Sequence, residues 1–109
     1  MASKANITID QGTTFSTDLT LTDEFGDNLD LTGYTASSQM RKWYTSSNAA
    51  ATFTTAVNVS TAAVTLSLNA NQTGTITAGR YVYDVEITNG TTTSRIVEGI
   101  VTVTPQVTR

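Results

Sequence analysis

The segment GRYVYDVEITNG, residues 79–90, alternates between two kinds of side chain along most of its length. One series is aromatic or β-branched and the other is mainly charged: Tyr81, Tyr83, Val85 and Ile87 against Arg80, Val82, Asp84 and Glu86. Successive side chains of a β-strand point to opposite faces of the sheet, so a period of two marks a strand with one buried and one solvated face. The segment therefore predicts a strand whose tyrosine side faces a core.

The same alternation recurs along the chain, between segments rich in turn-forming residues. It predicts seven short strands, at residues 6–10, 15–22, 34–41, 51–57, 64–68, 79–88 and 93–104. A single sheet of such strands would leave an apolar face in water, and no helical segment is long enough to cover it. We therefore predict an all-β fold, an immunoglobulin-like two-sheet antiparallel sandwich of about seven strands.

Three local features refine this prediction. Asn69 is a suitable N-cap for one short helical turn before Gly79. Tyr81, at the start of its strand, suits the tyrosine corner of immunoglobulin-like sandwiches, with Tyr83 as the alternative. Gly99 beside Glu98 interrupts an apolar strand and predicts a β-bulge there.

Length and composition agree with one domain built from β-sheets. A chain of 109 residues is the size of one domain, so we predict a single sandwich over residues 1–109, with extended termini at 1–5 and 105–109. About one residue in five is Thr, whose β-branched side chain suits a strand while its hydroxyl keeps the outer face polar. The first twelve residues contain no apolar run, so we do not expect a signal peptide.

Reactive side chains are scarce. The sequence has no His and no Cys, which removes the commonest general base, metal ligand and thiol nucleophile. Asp84 and Glu86 have the spacing of an acid and base pair, but carboxylates on an exposed strand face mostly serve solvation. We therefore predict that the protein is not an enzyme and has no catalytic residue.

Acidic residues near the first hairpin are candidate calcium ligands, namely Asp10, Asp23, Asp27 and Asp30. They lack the spacing of a helix-loop-helix calcium loop, and hairpin loops are commonly acidic. We predict no metal and no cofactor. The net charge of −3, with six scattered basic residues, argues against nucleic acid, and no segment is long and apolar enough to span a bilayer.

The strongest recognition candidate is the run from Arg41 to Tyr44, at the end of a predicted strand. Aromatic side chains and Arg are enriched in interface hot spots. The alternative is that Trp43 is partly buried under residues 45–52. The extended tail is a second candidate, because extended segments can add a strand to a neighbouring sheet. The predicted docking residues are Arg41, Lys42, Trp43, Tyr44, Gln106, Val107, Thr108 and Arg109.

Several motifs together resemble a family of small structural proteins of tailed bacteriophages. They are an acidic hairpin ending in DLTGY (Leu21 to Tyr34), a G-x-Y-x-Y-D strand (Gly79 to Asp84), and a closing strand (Arg95 to Val103) followed by VTR (Val107 to Arg109). The hairpin is also similar to the N-terminal immunoglobulin-like domain of phage upper baseplate proteins. The motif order covers nearly the whole chain.

The resemblance implies a non-enzymatic virion structural protein, assembled in the host cytoplasm. It implies an adaptor or accessory component of the tail, baseplate or neck that binds other virion proteins and is a homo-oligomer within the particle, with no nucleic acid or membrane partner. Two alternatives are a capsid decoration protein on the head and a glycan-binding adhesion module, for which Trp43, Tyr44 and the acidic loop would form the site.

Overall fold

The computed structural model describes residues 3–22 and 26–107. The strands are β1 Ser3–Lys4, β2 Ile7–Asp10, β3 Phe15–Thr20, β4 Thr35–Arg41, β5 Ala51–Thr52, β6 Thr54–Asn58, β7 Ala63–Leu68, β8 Gly79–Thr88 and β9 Thr93–Thr104, with one short helix, α1 Ala70–Gly74. Within these ranges no helix is both long and apolar enough to cross a membrane. The prediction of an all-β fold with one helical turn is confirmed.

The strands form two sheets that pack face to face as a sandwich. The larger sheet has the order β1-β9-β8-β4-β5, with β2 also on β9, and the smaller has the order β3-β7-β6. Side chains of both sheets meet in the core, where Ile9, Leu66 and Val85 are fully buried. The tyrosine side of β8 faces this core, as its alternation predicted.

Two edge strands depart from the antiparallel prediction. β1 and β2 run parallel to β9, with Ser3 opposite Val97 and Ile7 opposite Val101. The Ala5 N–H, which lies between β1 and β2, donates to the Glu98 carbonyl at 3.0 Å. The backbone of residues 3–5, in the extended terminus predicted at residues 1–5, therefore adds to the chain's own sheet.

The predicted strand at residues 51–57 is two strands that belong to different sheets. β5 pairs with β4 in the larger sheet, and β6 pairs with β7 in the smaller one. Phe53 lies between them, 3% exposed, with its N–H bonded to the Ser38 carbonyl at 3.0 Å. The chain crosses from one sheet to the other at this residue, and the buried ring fills the corner.

The bulge in β9 lies three residues before the predicted position. Val85 pairs with Val97 but Glu86 pairs with Arg95, so Ile96 is the extra residue. Gly99 keeps the regular ladder opposite Tyr83. A Cβ at Gly99 would overlap the carbonyl of Ala5, so this glycine is needed for close approach of the amino-terminal segment and not for a bulge.

The linker before β8 has the predicted cap and corner. The Asn69 side chain accepts a hydrogen bond from the Gln72 N–H at 2.8 Å, and the Gln72 side chain accepts one from the Asn69 N–H at 2.9 Å, a capping box. The Tyr81 hydroxyl donates to the Thr77 carbonyl at 2.6 Å, four residues upstream. Tyr81, not Tyr83, is therefore the corner tyrosine.

Candidate functional site

The run from Arg41 to Tyr44 leaves β4 in a tight turn. The Ser46 N–H donates to the Trp43 carbonyl at 3.1 Å, and the Trp43 N–H donates to the Ser46 hydroxyl at the same distance. The Arg41 guanidinium donates to the Ser46 carbonyl at 3.0 Å and to the Gln39 side chain at 2.9 Å. These bonds hold the turn against the end of the strand.

This turn presents two aromatic rings to solvent. Trp43 is 59% exposed and Tyr44 is 60% exposed. Their rings pack edge to face, with centroids 5.0 Å apart and planes at 71°. Trp43 is thus more exposed than the alternative of a ring partly buried under residues 45–52 predicted. An exposed aromatic pair of this kind offers a partner both apolar ring surface and polar groups that can form hydrogen bonds.

Lys42 points away from this pair. Its Nζ lies 4.8 Å from the centroid of the Tyr81 ring, within the range of a cation–π contact. Lys42 is exposed but packs on the corner tyrosine of β8, whereas Trp43 and Tyr44 are the exposed aromatic residues of the predicted group.

Beside Tyr44 lies a groove of about 390 Å³ on the outer face of the larger sheet. Its floor is made by three adjacent strands, since Gln39 of β4 pairs with Asp84 of β8, and Asp84 pairs with Glu98 of β9. The next row brings Glu86 opposite Arg95. The charged lining residues are Arg41, Asp84, Glu86, Arg95 and Glu98.

The groove is thus polar and of mixed charge, with two guanidinium groups and three carboxylates. The Arg95 Nε lies 3.8 Å from the Glu98 Oε2, and their side chains are 52% and 25% exposed. An ion pair in such contact with water contributes only about 0–1 kcal/mol to stability. These charges remain available to hydrogen-bond a ligand or partner.

Strand alternation already placed Asp84 and Glu86 on the solvated side of their strand. Sequence reasoning missed Arg95 and Glu98 as members of the site. Their membership depends on the pairing of β8 with β9 and on the bulge at Ile96, which brings Arg95 opposite Glu86. A regular register would have placed Ile96 opposite Glu86.

The carboxyl-terminal candidate lies at the same end of the sandwich as Arg41. The Gln106 N–H donates to the Gln11 side chain at 2.9 Å, and a Cβ at Gly12 would overlap the Gln106 side chain. Val107 is 91% exposed, while Thr108 and Arg109 lie outside the described residues. Gln106 is therefore anchored on the fold, and Val107 is the exposed residue in the described part of this candidate.

β4 ends, β8 begins and β9 ends at this end of the sandwich, because β8 is antiparallel to both neighbours. No hydrogen bond or ring contact joins the residues 41–44 to Gln106 or Val107 within the described chain. The two candidates therefore share an end of the molecule without forming one contiguous cluster.

The calcium candidates do not gather into a site within residues 3–22 and 26–107, where no three acidic groups are placed to hold a metal ion. Asp10 accepts a hydrogen bond from the Thr104 hydroxyl at 2.7 Å, on β9. Asp30 accepts from the Thr32 N–H at 3.0 Å, and hydrogen bonding by Thr32 lowers the pKa of Asp30. Asp23 lies outside the described residues.

Comparison with known proteins bears on the fold. No protein-family model and no curated protein sequence matches the chain. Among solved structures, the chain is similar to Listeria monocytogenes InlP, with a TM-score of 0.51 and 18% sequence identity. The match covers 94% of this chain and 28% of the InlP chain, so the protein spans under a third of that structure's length.

At this identity the likeness supports the fold alone. The fold and its exposed surfaces define a two-sheet immunoglobulin-like sandwich with a polar groove and an exposed aromatic turn at one end.

Proposed function

We propose that the protein is a non-enzymatic virion structural protein of a tailed bacteriophage that docks onto other virion proteins. The docking surface is the exposed turn formed by Arg41, Trp43 and Tyr44. The observation that carries the proposal is the solvent-exposed, edge-to-face pair of Trp43 and Tyr44, held by the bonds of Arg41 and Ser46. A turn whose backbone is already held by hydrogen bonds lowers the entropy cost of binding, because less of it is ordered on contact.

The composition and the motifs support this role. The chain lacks His and Cys, so imidazole acid–base catalysis and thiol chemistry have no side chain to use. The acidic hairpin, the G-x-Y-x-Y-D strand and the closing strand resemble small phage structural proteins. The proposed position is in the tail, baseplate or neck, with the head as the alternative position for a decoration protein. The proposed partners are other virion proteins and further copies of this chain.

A glycan-binding adhesion module is the second candidate. The groove favours it, because carboxylates and guanidinium groups bind sugar hydroxyls, and Tyr44 lines the same groove. Aromatic rings commonly pack on the apolar faces of sugars. Of the acidic loop expected to join this site, the described residues from Gly26 onward do not line the groove.

The experiment compares particle incorporation of two variants in phage whose copy of the gene is deleted and supplied in trans. We expect the amount of the double variant W43A/Y44A in purified particles to be at least about tenfold below that of the wild type. A tenfold change corresponds to a loss of about 1.4 kcal/mol in binding free energy, which is in the range found for interface hot spots. The control is Val59→Ala, since Val59 is also an exposed apolar residue, 49% exposed, in the turn at the opposite end of the sandwich.

Wild-type incorporation of W43A/Y44A would reject this docking surface. Absence of the wild-type chain from purified particles would reject the virion role. Binding of the isolated wild-type chain to a glycan array, lost when Asp84 is replaced by Asn, would instead favour the adhesion module.

A further inference from the structure

β3 is an open edge of the smaller sheet. One side of β3 pairs with β7 along its whole length, from Phe15 opposite Leu68 to Thr20 opposite Ala63. In the described parts of the chain, no strand pairs with its other side. The preceding strands β1 and β2 are committed to β9 in the other sheet. Six regular residues therefore present an unpaired edge.

This edge lacks most of the common protections against pairing, since its one charged residue is Asp18. Natural proteins blunt edge strands with Lys, Pro, bulges or short length, whereas residues 12–22 contain neither Lys nor Pro. Phe15 and Leu19 are only half-buried, although both pack against the core. A neighbouring strand would cover these two side chains, so the edge is suited to a partner strand.

The direction of the backbone groups follows from the residue after β3. The Leu21 N–H donates to the Ala62 carbonyl at 2.7 Å, on the side of β7. Alternate residues of a strand direct their N–H and C=O groups to opposite edges. Ser16, Asp18 and Thr20 therefore direct these groups away from β7, toward the open side.

We propose that β3 pairs antiparallel with β3 of a second copy of the chain, around a two-fold axis at Thr17. In this register Ser16 exchanges both main-chain hydrogen bonds with Asp18 of the second copy. Phe15 lies opposite Leu19 of the second copy in a non-hydrogen-bonded pair, where cross-strand side chains are closest. The two three-stranded sheets then form one continuous sheet.

Charge disfavours the register centred on Asp18. Asp18 is the only charged residue of β3, and its carboxylate already accepts a hydrogen bond from the Thr65 hydroxyl at 2.6 Å. An axis at Asp18 would place two carboxylates directly opposite each other, which is destabilising. An axis at Thr17 places each Asp18 opposite a serine hydroxyl, so the strand is complementary to itself.

This inference specifies how two copies of the chain associate. It rests on the proposed function only for the expectation that the chain is a homo-oligomer. The β3 edge is separate from the turn at residues 41–44. Failure of the β3 contact would leave incorporation through Trp43 and Tyr44 untouched, and failure of that docking surface would leave the dimer intact.

Cysteine substitution tests the register, because the chain has no Cys of its own. Directly opposite residues of a non-hydrogen-bonded pair have Cα atoms about 4.5 Å apart, which suits a disulfide. We expect Thr17→Cys to give a disulfide-linked dimer on mild oxidation and Asp18→Cys to stay monomeric under the same conditions. Dimers from Asp18→Cys alone, from both variants equally, or from neither would overturn the proposal.

Sedimentation velocity tests the unlinked contact. We expect the wild-type chain to show a concentration-dependent dimer, and Ser16→Asp to weaken the dimer about tenfold, since its two symmetry-related contacts each place like charges opposite each other. The control is Ser60→Asp, which adds the same charge at an exposed turn residue. A wild-type monomer at concentrations up to about 0.1 mM, or equal weakening by both substitutions in folded protein, would overturn the proposal.

Discussion

The hydroxyl of Tyr83 donates a hydrogen bond to the main-chain carbonyl of Ala5 at 2.5 Å, joining the middle of β8 to a segment 78 residues earlier. The same carbonyl lies against Gly99 of β9. The neighbouring Asn6 side chain accepts a hydrogen bond from the Ile100 N–H at 3.1 Å. Tyr83 of β8 and the adjacent Gly99 and Ile100 of β9 therefore hold residues 5–6 in place on the larger sheet.

Gly99→Ala tests this close approach. The added methyl group would overlap the Ala5 carbonyl, so we expect the amino-terminal segment to shift and the free energy of unfolding to fall by about 1–3 kcal/mol. Urea unfolding measures the loss, and faster hydrogen exchange of the Ala5 amide locates it. The control is Gly74→Ala, whose Cβ would meet only the Gly12 Cα at 3.8 Å. Equal stability of the Gly99 variant and wild type would contradict the contact.

Tyr83→Phe removes the hydrogen bond to Ala5 and keeps the ring. We expect a loss of about 0.5–1.5 kcal/mol in the free energy of unfolding at neutral pH, the usual contribution of one hydrogen bond. Chemical denaturation measures it. The matched control is Tyr44→Phe, because Tyr44 is 60% exposed. A larger loss from the control would contradict the assignment.

The buried hydroxyl of Tyr83 also leads us to expect a loss of folding stability at alkaline pH. Burial raises the pKa of its hydroxyl from 10.0 to about 12. Because the folded state favours the neutral form, this stabilisation is complete below pH 10 and is lost as the pH rises through the folded pKa near 12. We expect the stability of the wild type to fall over this range more steeply than that of Tyr83→Phe. Parallel pH profiles would show that Tyr83 does not carry the transition.

Trp43→Ala and Tyr44→Ala separate docking from folding. Both rings are more than half exposed, so we expect each substitution to change the free energy of unfolding by less than about 0.5 kcal/mol. Thermal and urea unfolding measure the effect. A loss above about 1 kcal/mol would mean that the aromatic pair stabilises the turn itself and would weaken the docking proposal.

Phe53→Ala tests the crossing between the two sheets. The Phe53 ring contacts Phe15 of the smaller sheet and Tyr83 of the larger one, with centroids at 6.0 and 6.2 Å. We expect a loss of about 3–5 kcal/mol, as for other buried phenylalanines, and a smaller loss for Phe53→Leu. The control is Thr52→Ala at the exposed neighbouring position. A loss below about 1 kcal/mol for Phe53→Ala would contradict a bridging role.

Local sequence patterns predicted the secondary-structure elements that are determined by neighbouring residues. The alternation of residues 79–88 gave a strand with Tyr81 and Tyr83 inward, and Asn69 gave the capped helical turn. The prediction for residues 51–57 failed at Phe53, because a continuous period of two does not reveal that the chain changes sheets there. The prediction at Gly99 found an unusual residue but assigned its cause to the strand itself, whereas the cause is the distant Ala5 carbonyl.

The residues of the candidate site also divide into those that the sequence identified and those that only strand pairing brought in. The sequence identified Arg41, Trp43 and Tyr44 from residue type and position at a strand end. It did not identify Arg95 and Glu98, which join the groove only through the pairing of β8 with β9.

Three properties follow from the amino-acid sequence alone: the strand periodicity, the two-sheet class and the scarcity of reactive side chains. Each depends on residue type or on the spacing of a few residues. The tertiary structure alone decided which strands are neighbours, that the amino-terminal segment pairs with β9, and that β3 keeps an open edge. Those outcomes depend on contacts between residues far apart in the chain, and the free energy of such contacts is not encoded in any local pattern.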